Sequence, residues 1–106
     1  MEWVKVFASA SDARNRLVQN KPQLLLVRDK RICLVQTQEG LLAVEDTCPH
    51  NGESLSKGSV NFLGEIVCPW HGQRFKLKTG RECAERSRDL VTYQILEDEK
   101  GIFIGL

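Results

Sequence analysis

Histidine is scarce in this sequence. There are only two, His50 and His71, and each follows a cysteine within three residues. If both serve one site, none remains for a second metal centre or for a nucleophile that needs an imidazole base. An oxygenase iron site commonly takes two histidines and a carboxylate, so the chain has no spare pair to build one.

No charge of one sign dominates, and no apolar run is long. Fifteen Lys and Arg oppose fourteen Asp and Glu, for a formal charge of +1. Nucleic-acid-binding domains normally show a basic excess, so we expect no nucleic-acid partner. The longest apolar runs, such as residues 24–27, have four residues, against the ~20 that span a bilayer. The first residues lack the pattern of a signal peptide. We therefore expect a cytoplasmic protein with no membrane segment.

Length and patterning favour one all-β domain over residues 1–106. Apolar residues make up 42% and charged residues 27%, as in ordinary globular proteins. Ser9 and Asp12 resemble a capping box, which predicts a short helix ending near Gln19. Runs rich in β-branched residues predict strands elsewhere. These runs are 24–28, 31–36 and 41–46, which form an antiparallel meander, and then 59–60, 65–67, 90–96 and 102–104.

Two of the four cysteines have no evident function. Cys33 lies in the apolar run 32–35, where a free thiol behaves as a small hydrophobic side chain. Cys83 has no neighbouring His or Cys. A disulfide between them is compatible with the sequence, but a cytoplasmic compartment argues against it.

The other two cysteines belong to a repeated pattern. The pieces are Cys48-Pro-His-Asn-Gly52 and Cys68-Pro-Trp-His-Gly72. Each has a Cys, a Pro, a His and a Gly, and the Gly follows the His directly or after one intervening residue. Proline stiffens a loop, and glycine lets the backbone turn sharply. Two thiolates and two imidazoles suit zinc or iron, so the repeat predicts a shared metal site.

The order of these residues bears on which metal is bound. A structural zinc site usually groups its ligands as C-x₂₋₄-C followed by a second pair. Here the order is Cys, His, Cys, His, with one C-x-H and one C-x-x-H. A two-iron cluster with two Cys on one iron and two His on the other takes one ligand per iron from each loop, as in a Rieske [2Fe–2S] centre.

The two boxes, residues 48–55 and 68–75 with the following Thr79-Gly80, resemble those of the Rieske-type ferredoxins. The resemblance implies an antiparallel β-sandwich with a small loop-rich cluster-binding subdomain at about 47–80. It also implies that two thiolates bind the inner iron of one [2Fe–2S] cluster and that two imidazoles bind the outer iron, leaving their other ring nitrogens near the surface as the electron port. The implied ligands are Cys48, Cys68, His50 and His71.

Four positions depart from the high-potential branch of that family. Glu53 and Trp70 stand where that branch has a loop-linking cysteine pair. Gln73 and Phe75 stand where it has a serine and a tyrosine that donate hydrogen bonds to sulfur. Fewer such bonds leave the reduced cluster less stabilised, so we expect a potential at the low end of the Rieske range of roughly −150 to +300 mV.

The resemblance implies a one-electron carrier rather than an enzyme. It would pass electrons from a flavin-dependent reductase to a terminal oxygenase, such as one acting on aromatic rings, through transient contacts made by a monomer. The chain has no G-x-G-x-x-G loop of a reductase. Three alternatives stay open: the small subunit of an assimilatory nitrite reductase, a Rieske protein serving another redox partner, and a structural zinc module that binds a protein.

Overall fold

Ten strands and one short helix form the fold, in a computed structural model that describes all 106 residues. Every strand pair runs antiparallel, which confirms the predicted all-β antiparallel class. The elements are β1 (Trp3–Phe7), α1 (Ala10–Arg16), β2 (Gln23–Val27), β3 (Lys30–Thr37), β4 (Gly40–Glu45), a 3-10 turn (Leu55–Lys57), β5 (Ser59–Val60), β6 (Glu65–Val67), β7 (Arg74–Lys76), β8 (Thr92–Tyr93), β9 (Ile95–Asp98) and β10 (Gly101–Gly105).

The strands form three sheets. One has the order β1-β10-β9, the second β2-β3-β4-β8, and the small third sheet β5-β6-β7. The predicted meander is confirmed as β2-β3-β4. Its first turn places Arg28 and Asp29 at φ 49° and 67°, which matches the right-handed twist of the strands it joins.

The helix begins as predicted and ends early. Ser9 Oγ accepts the Asp12 N–H at 3.0 Å, and Asp12 in turn accepts the Ala8 N–H at 3.1 Å. The last helical residue is Arg16, not a residue near Gln19. Leu17 is already extended, and its side chain packs against the core between the two larger sheets. Burial of that side chain thus outweighs one further helical turn.

β3 is buried on both faces, and this divides the interior into two cores. Ile32 and Leu34 point into a core shared by the two larger sheets. Cys33 and Val35 point the opposite way, into a second core that the small sheet covers. Successive side chains of a strand alternate between its faces, so one strand connects the scaffold core to the core beneath the small sheet.

One predicted strand needs correction, and one observed strand is absent from the prediction. The run 90–96 is not one strand: β8 pairs with β4 and β9 pairs with β10. The chain passes from one sheet to the other at Gln94, so a single apolar run serves two sheets. β7 was not predicted, because its one apolar residue, Phe75, lies between Arg74 and Lys76.

The fold contains no helix that is long and apolar enough to cross a lipid bilayer.

Candidate metal centre

The two repeated loops fold alike. The first follows β4 and leads to the 3-10 turn, and the second connects β6 to β7. In the first, the Cys48 N–H donates to the Glu53 carbonyl and the Gly52 N–H to the Cys48 carbonyl, both at 2.8 Å. In the second, the same two bonds join Cys68 to Gln73 and to Gly72, at 2.8 and 3.1 Å. The sequence repeat is therefore a repeat of backbone geometry.

Glycine is required at the same point of both loops. Gly52 has φ 75° and Gly72 has φ 73°, a region that costs L-residues energy. Counted from the cysteine, however, the histidines differ by one position, since His50 is two residues on and His71 three. Two similar backbones thus present their imidazoles at different points of the loop.

Both loop cysteines are buried. Cys48 and Cys68 are each 1% exposed and lie in the second core, together with Phe75 and Leu55. Burial raises the pKa of the Cys48 thiol, and the neighbouring Cys68 raises it further, while hydrogen bonds from backbone N–H groups of the first loop partly oppose the shift. N–H groups aimed at sulfur suit a thiolate that binds a metal.

Asn51 connects one loop to the sulfur of the other. Its Oδ1 accepts the Glu53 N–H at 2.9 Å, and both Oδ1 and Nδ2 lie 3.9 Å from Cys68 Sγ. A thiolate at Cys68 has no proton to give, so Nδ2 would be the donor to that sulfur.

The two histidines lie in different surroundings. His71 is exposed, and its ring meets Trp70 edge-on with centroids 5.5 Å apart. The His50 side chain is only 20% exposed, and its Nε2 is buried with no hydrogen-bond partner. Nε2 of His50 therefore lies away from the surface, because a third segment covers it.

That third segment brings a carboxylate which sequence reasoning missed. Glu82 is 1% exposed, and its Oε1 lies 3.8 Å from His50 Nε2. Its Oε2 accepts the Arg86 N–H at 2.8 Å. Glu82 belongs to no motif, and an isolated Glu after Thr79-Gly80 gives no signal in the sequence.

A second missed carboxylate anchors the first loop. Asp46 is fully buried; it accepts the Ser56 N–H at 2.7 Å and the hydroxyl of Ser54, and Arg31 lies 3.4 Å away. These bonds tie the far end of the first loop back to the residue that directly follows β4.

Gln73 and Phe75 behave as the resemblance suggested. Phe75 is fully buried in the same core as both loop cysteines and carries no donor. Gln73 Oε1 is buried without a partner, and the Gln73 side chain makes no hydrogen bond to either sulfur. Neither side chain replaces the hydroxyl donors of the high-potential branch.

The ligand candidates do not converge on one ion. No three His, Cys, Asp or Glu side chains come together as a single metal ion would require. A structural zinc takes four ligands, whereas each iron of a Rieske cluster takes two protein ligands. One thiol and one imidazole from each loop are nevertheless the donor set that a two-iron cluster of this kind takes.

The remaining cysteines are free thiols. Cys33 is fully buried, as predicted, and burial raises its pKa to about 12. Cys83 is half-buried and contacts Glu65. No disulfide joins them.

Several basic side chains around the small sheet are already paired with carboxylates. Lys78 pairs with Glu39 and Arg81 with Glu85, and Arg74 lies 3.4 Å from Glu65. Lys57 and Lys76 form no ion pair. This surface therefore carries less free positive charge than its sequence suggests.

Comparison with known proteins gives a consistent result. The family model described as "Rieske [2Fe-2S] domain" matches residues 2–94. The 3-phenylpropionate/cinnamic acid dioxygenase ferredoxin subunit of Shigella boydii is 35% identical over 65 residues, which are 60% of this chain and 61% of that relative. The chain therefore matches about three-fifths of that relative's length.

Solved structures show the same fold. The ferredoxin of carbazole 1,9a-dioxygenase from Nocardioides aromaticivorans superposes with a TM-score of 0.82 at 21% identity, over 99% of this chain and 98% of that one. A protein named as the small subunit of an NADPH nitrite reductase gives the same TM-score and identity over the full length of both chains. The predicted antiparallel Rieske-type fold is thereby confirmed.

Proposed function

Because this chain belongs to the Rieske [2Fe–2S] domain family, we propose that it is a one-electron carrier whose two loops each supply one thiolate and one imidazole to the cluster. The observation that carries the proposal is the pair of loops with the same backbone hydrogen bonds, each bearing one buried cysteine. The family's cofactor, a Rieske-type [2Fe–2S] cluster, accepts and releases one electron when bound. The four ligands are Cys48, Cys68, His50 and His71.

The burial of each ligand side chain indicates which of the two irons it would bind. Cys48 and Cys68, in the core, would hold one iron, and His50 and His71, towards the rim, would hold the other. Two neutral imidazoles in place of two thiolates make the centre less negative and easier to reduce than an all-cysteine cluster. Gln73 and Phe75 give no hydrogen bond to sulfur, which keeps the potential at the low end of the Rieske range.

Electrons enter and leave at the exposed imidazole. Trp70 is 64% exposed and touches His71, so this aromatic pair forms the protruding part of the site. Arg74, nearby in the chain, is also exposed. A small patch of this kind suits the brief, wet contacts of electron-transfer partners.

We assign a flavin-dependent reductase as the electron donor and a terminal oxygenase as the acceptor, met in turn by a monomer in the cytoplasm. The 35% identical relative is named as a ferredoxin subunit of an aromatic-acid dioxygenase, which favours this assignment. The chain acts as a carrier and catalyses no reaction alone.

The small subunit of a nitrite reductase is the second candidate. A protein named in that way superposes as well as the dioxygenase ferredoxin does. Mixing the reduced protein with either acceptor and following its reoxidation distinguishes the two: faster electron transfer to a sirohaem nitrite reductase than to an oxygenase would favour the second candidate.

The first test is an iron and acid-labile sulfide assay on the purified protein, with EPR after reduction by dithionite. We expect two irons and two sulfides per chain, and a reduced signal whose average g-value lies below that of all-cysteine clusters. A colourless protein that carries zinc after anaerobic preparation would overturn the proposal.

Substitutions test the ligand assignment. Cys68→Ala and His71→Ala should each abolish cluster assembly, because each removes one of four donors and the two remaining cysteines, Cys33 and Cys83, lie outside the two loops. Cys33→Ala is the matched control, since it removes a buried thiol from the same core and should leave the cluster in place. A stable cluster with normal spectra in either ligand variant would contradict the assignment.

A further inference from the structure

Glu82 is held firmly beside β7. The residues on either side of it are paired with that strand: the Lys76 N–H donates to the Arg81 carbonyl at 2.9 Å, and the Cys83 N–H donates to the Arg74 carbonyl at 2.8 Å. Its side chain therefore reaches the first loop from a fixed backbone, and its position does not depend on a flexible segment.

The Glu82 carboxylate has few partners. No Lys or Arg side chain lies within ion-pair distance of it, and one oxygen accepts the Arg86 N–H. A buried carboxylate without further partners is costly. The polar group that faces its other oxygen is His50 Nε2, which is itself buried and unpaired.

We propose that Glu82 is a positioning residue that accepts the Nε2–H of His50, holds that ring in the tautomer whose Nδ1 is free to bind iron, and lowers the reduction potential of the centre. The inference rests on the proposed function, since it takes His50 as a ligand. The 3.8 Å between Nε2 and Oε1 exceeds the usual hydrogen-bond distance by roughly 1 Å, so the proposal requires the imidazole to move towards Oε1 when the cluster is bound.

The effect on the potential follows from charge. A ligand imidazole that donates its second N–H to a carboxylate becomes a stronger electron donor to its metal. The oxidised centre is the more positive one, so it gains more from this donation and from the nearby negative charge than the reduced centre does. Removal of that charge should therefore make reduction easier. His71 has no such carboxylate, so the effect acts through one imidazole.

Glu82→Gln tests the charge with little change of shape. Glu65→Gln is the matched control, because Glu65 is also a buried carboxylate of this region but contacts Asn61, Arg74 and Cys83 and no ligand. We expect both variants to bind two irons. At a fixed ambient potential, Glu82→Gln should raise the reduced-to-oxidised ratio about tenfold, which corresponds to ~59 mV for one electron.

Nitrogen couplings give an independent measurement. In the reduced protein, pulsed EPR should show altered hyperfine couplings for one of the two histidine ligands in Glu82→Gln, and for neither in Glu65→Gln. Glu82→Asp keeps the charge at a greater distance and should give a smaller rise in potential than Glu82→Gln. If Glu82→Gln fails to hold a cluster, this smaller rise in Glu82→Asp is the test.

Two outcomes overturn the inference. If Glu82→Gln shifts the reduction potential no more than Glu65→Gln does, Glu82 does not tune the potential through His50. The same conclusion holds if Glu82→Gln does not hold a cluster and Glu82→Asp keeps the wild-type potential. If in the same experiments His50→Ala loses the cluster, the ligand assignment stands and only the role of Glu82 is lost. If His50→Ala keeps a normal cluster, the ligand assignment is wrong and the inference falls with it.

Discussion

The loop glycines offer a test of how backbone strain controls cluster retention. Gly52 and Gly72 have φ 75° and 73°, and a Cβ added at either would meet no atom within 4 Å. Replacement by alanine therefore adds strain without a steric clash. An L-residue in this left-handed conformation costs about 1–2 kcal/mol.

That strain sets the size of the expected effect. About 1–2 kcal/mol changes an equilibrium by roughly 5- to 30-fold. If the cluster is released when a loop opens, Gly52→Ala and Gly72→Ala should each speed its loss by about that factor. The assay is the decay of visible absorbance at 25 °C, without oxygen, in an excess of an iron chelator.

Gly64→Ala is the matched control. Gly64 has φ 76° and also has open space around it, but it lies in the turn between β5 and β6. It should destabilise the chain by the same amount while leaving the rate of cluster loss near that of the wild type. Equal rates in all three variants would refute the reasoning, because strain anywhere in the small sheet would then release the cluster.

Three further predictions follow from buried and paired groups. Cys33, whose pKa burial raises to about 12, should resist alkylation at pH 8 until urea unfolds the chain; rapid labelling of the native protein, read by mass spectrometry, would contradict its burial. Burial raises the pKa of Glu45, but hydrogen bonds from Arg88 and a backbone N–H lower it below its usual value overall. The stability that Glu45 contributes is thus present above its unfolded pKa of about 4.3 and is lost as pH falls through the lower folded value. Arg88→Ala should therefore reduce the urea midpoint at pH 6 and less so at pH 3; an equal reduction at both would count against the pair. Phe75→Tyr should raise the potential by adding a hydroxyl donor near sulfur, and an unchanged potential by voltammetry would show that the ring does not face a ligand sulfur.

The sequence was informative wherever a local rule decides the structure. The helix start at Ser9 follows from a capping box, and the meander β2-β3-β4 follows from short turns between β-rich runs. The two loops could be found because Cys, His and Gly recur at matched spacing. In each case the determining residues are close together in the chain.

The missed features depend on contacts between distant segments. Glu82 meets His50 across 32 positions of sequence, and nothing near either residue in the chain indicates that contact. In the sequence, Asp46 is only the polar last residue of a predicted strand. The fold brings Ser54 and Ser56 back to its carboxylate. The helix ended early because Leu17 was needed in the core, which is a requirement of packing that helical periodicity does not contain.

The one-residue offset between the histidines explains why the two imidazoles differ. The loops share their hydrogen bonds, so the third residue of the first loop corresponds to that of the second: His50 corresponds to Trp70, and Asn51 to His71. A strict repeat would place both imidazoles at equivalent points and give them similar surroundings. With the offset, His50 is half-buried against Glu82, whereas His71 is exposed beside Trp70. Under the proposed function, one imidazole would be held by the protein while the other meets the partner, which suits a carrier that must keep its cluster and still exchange electrons through brief contacts.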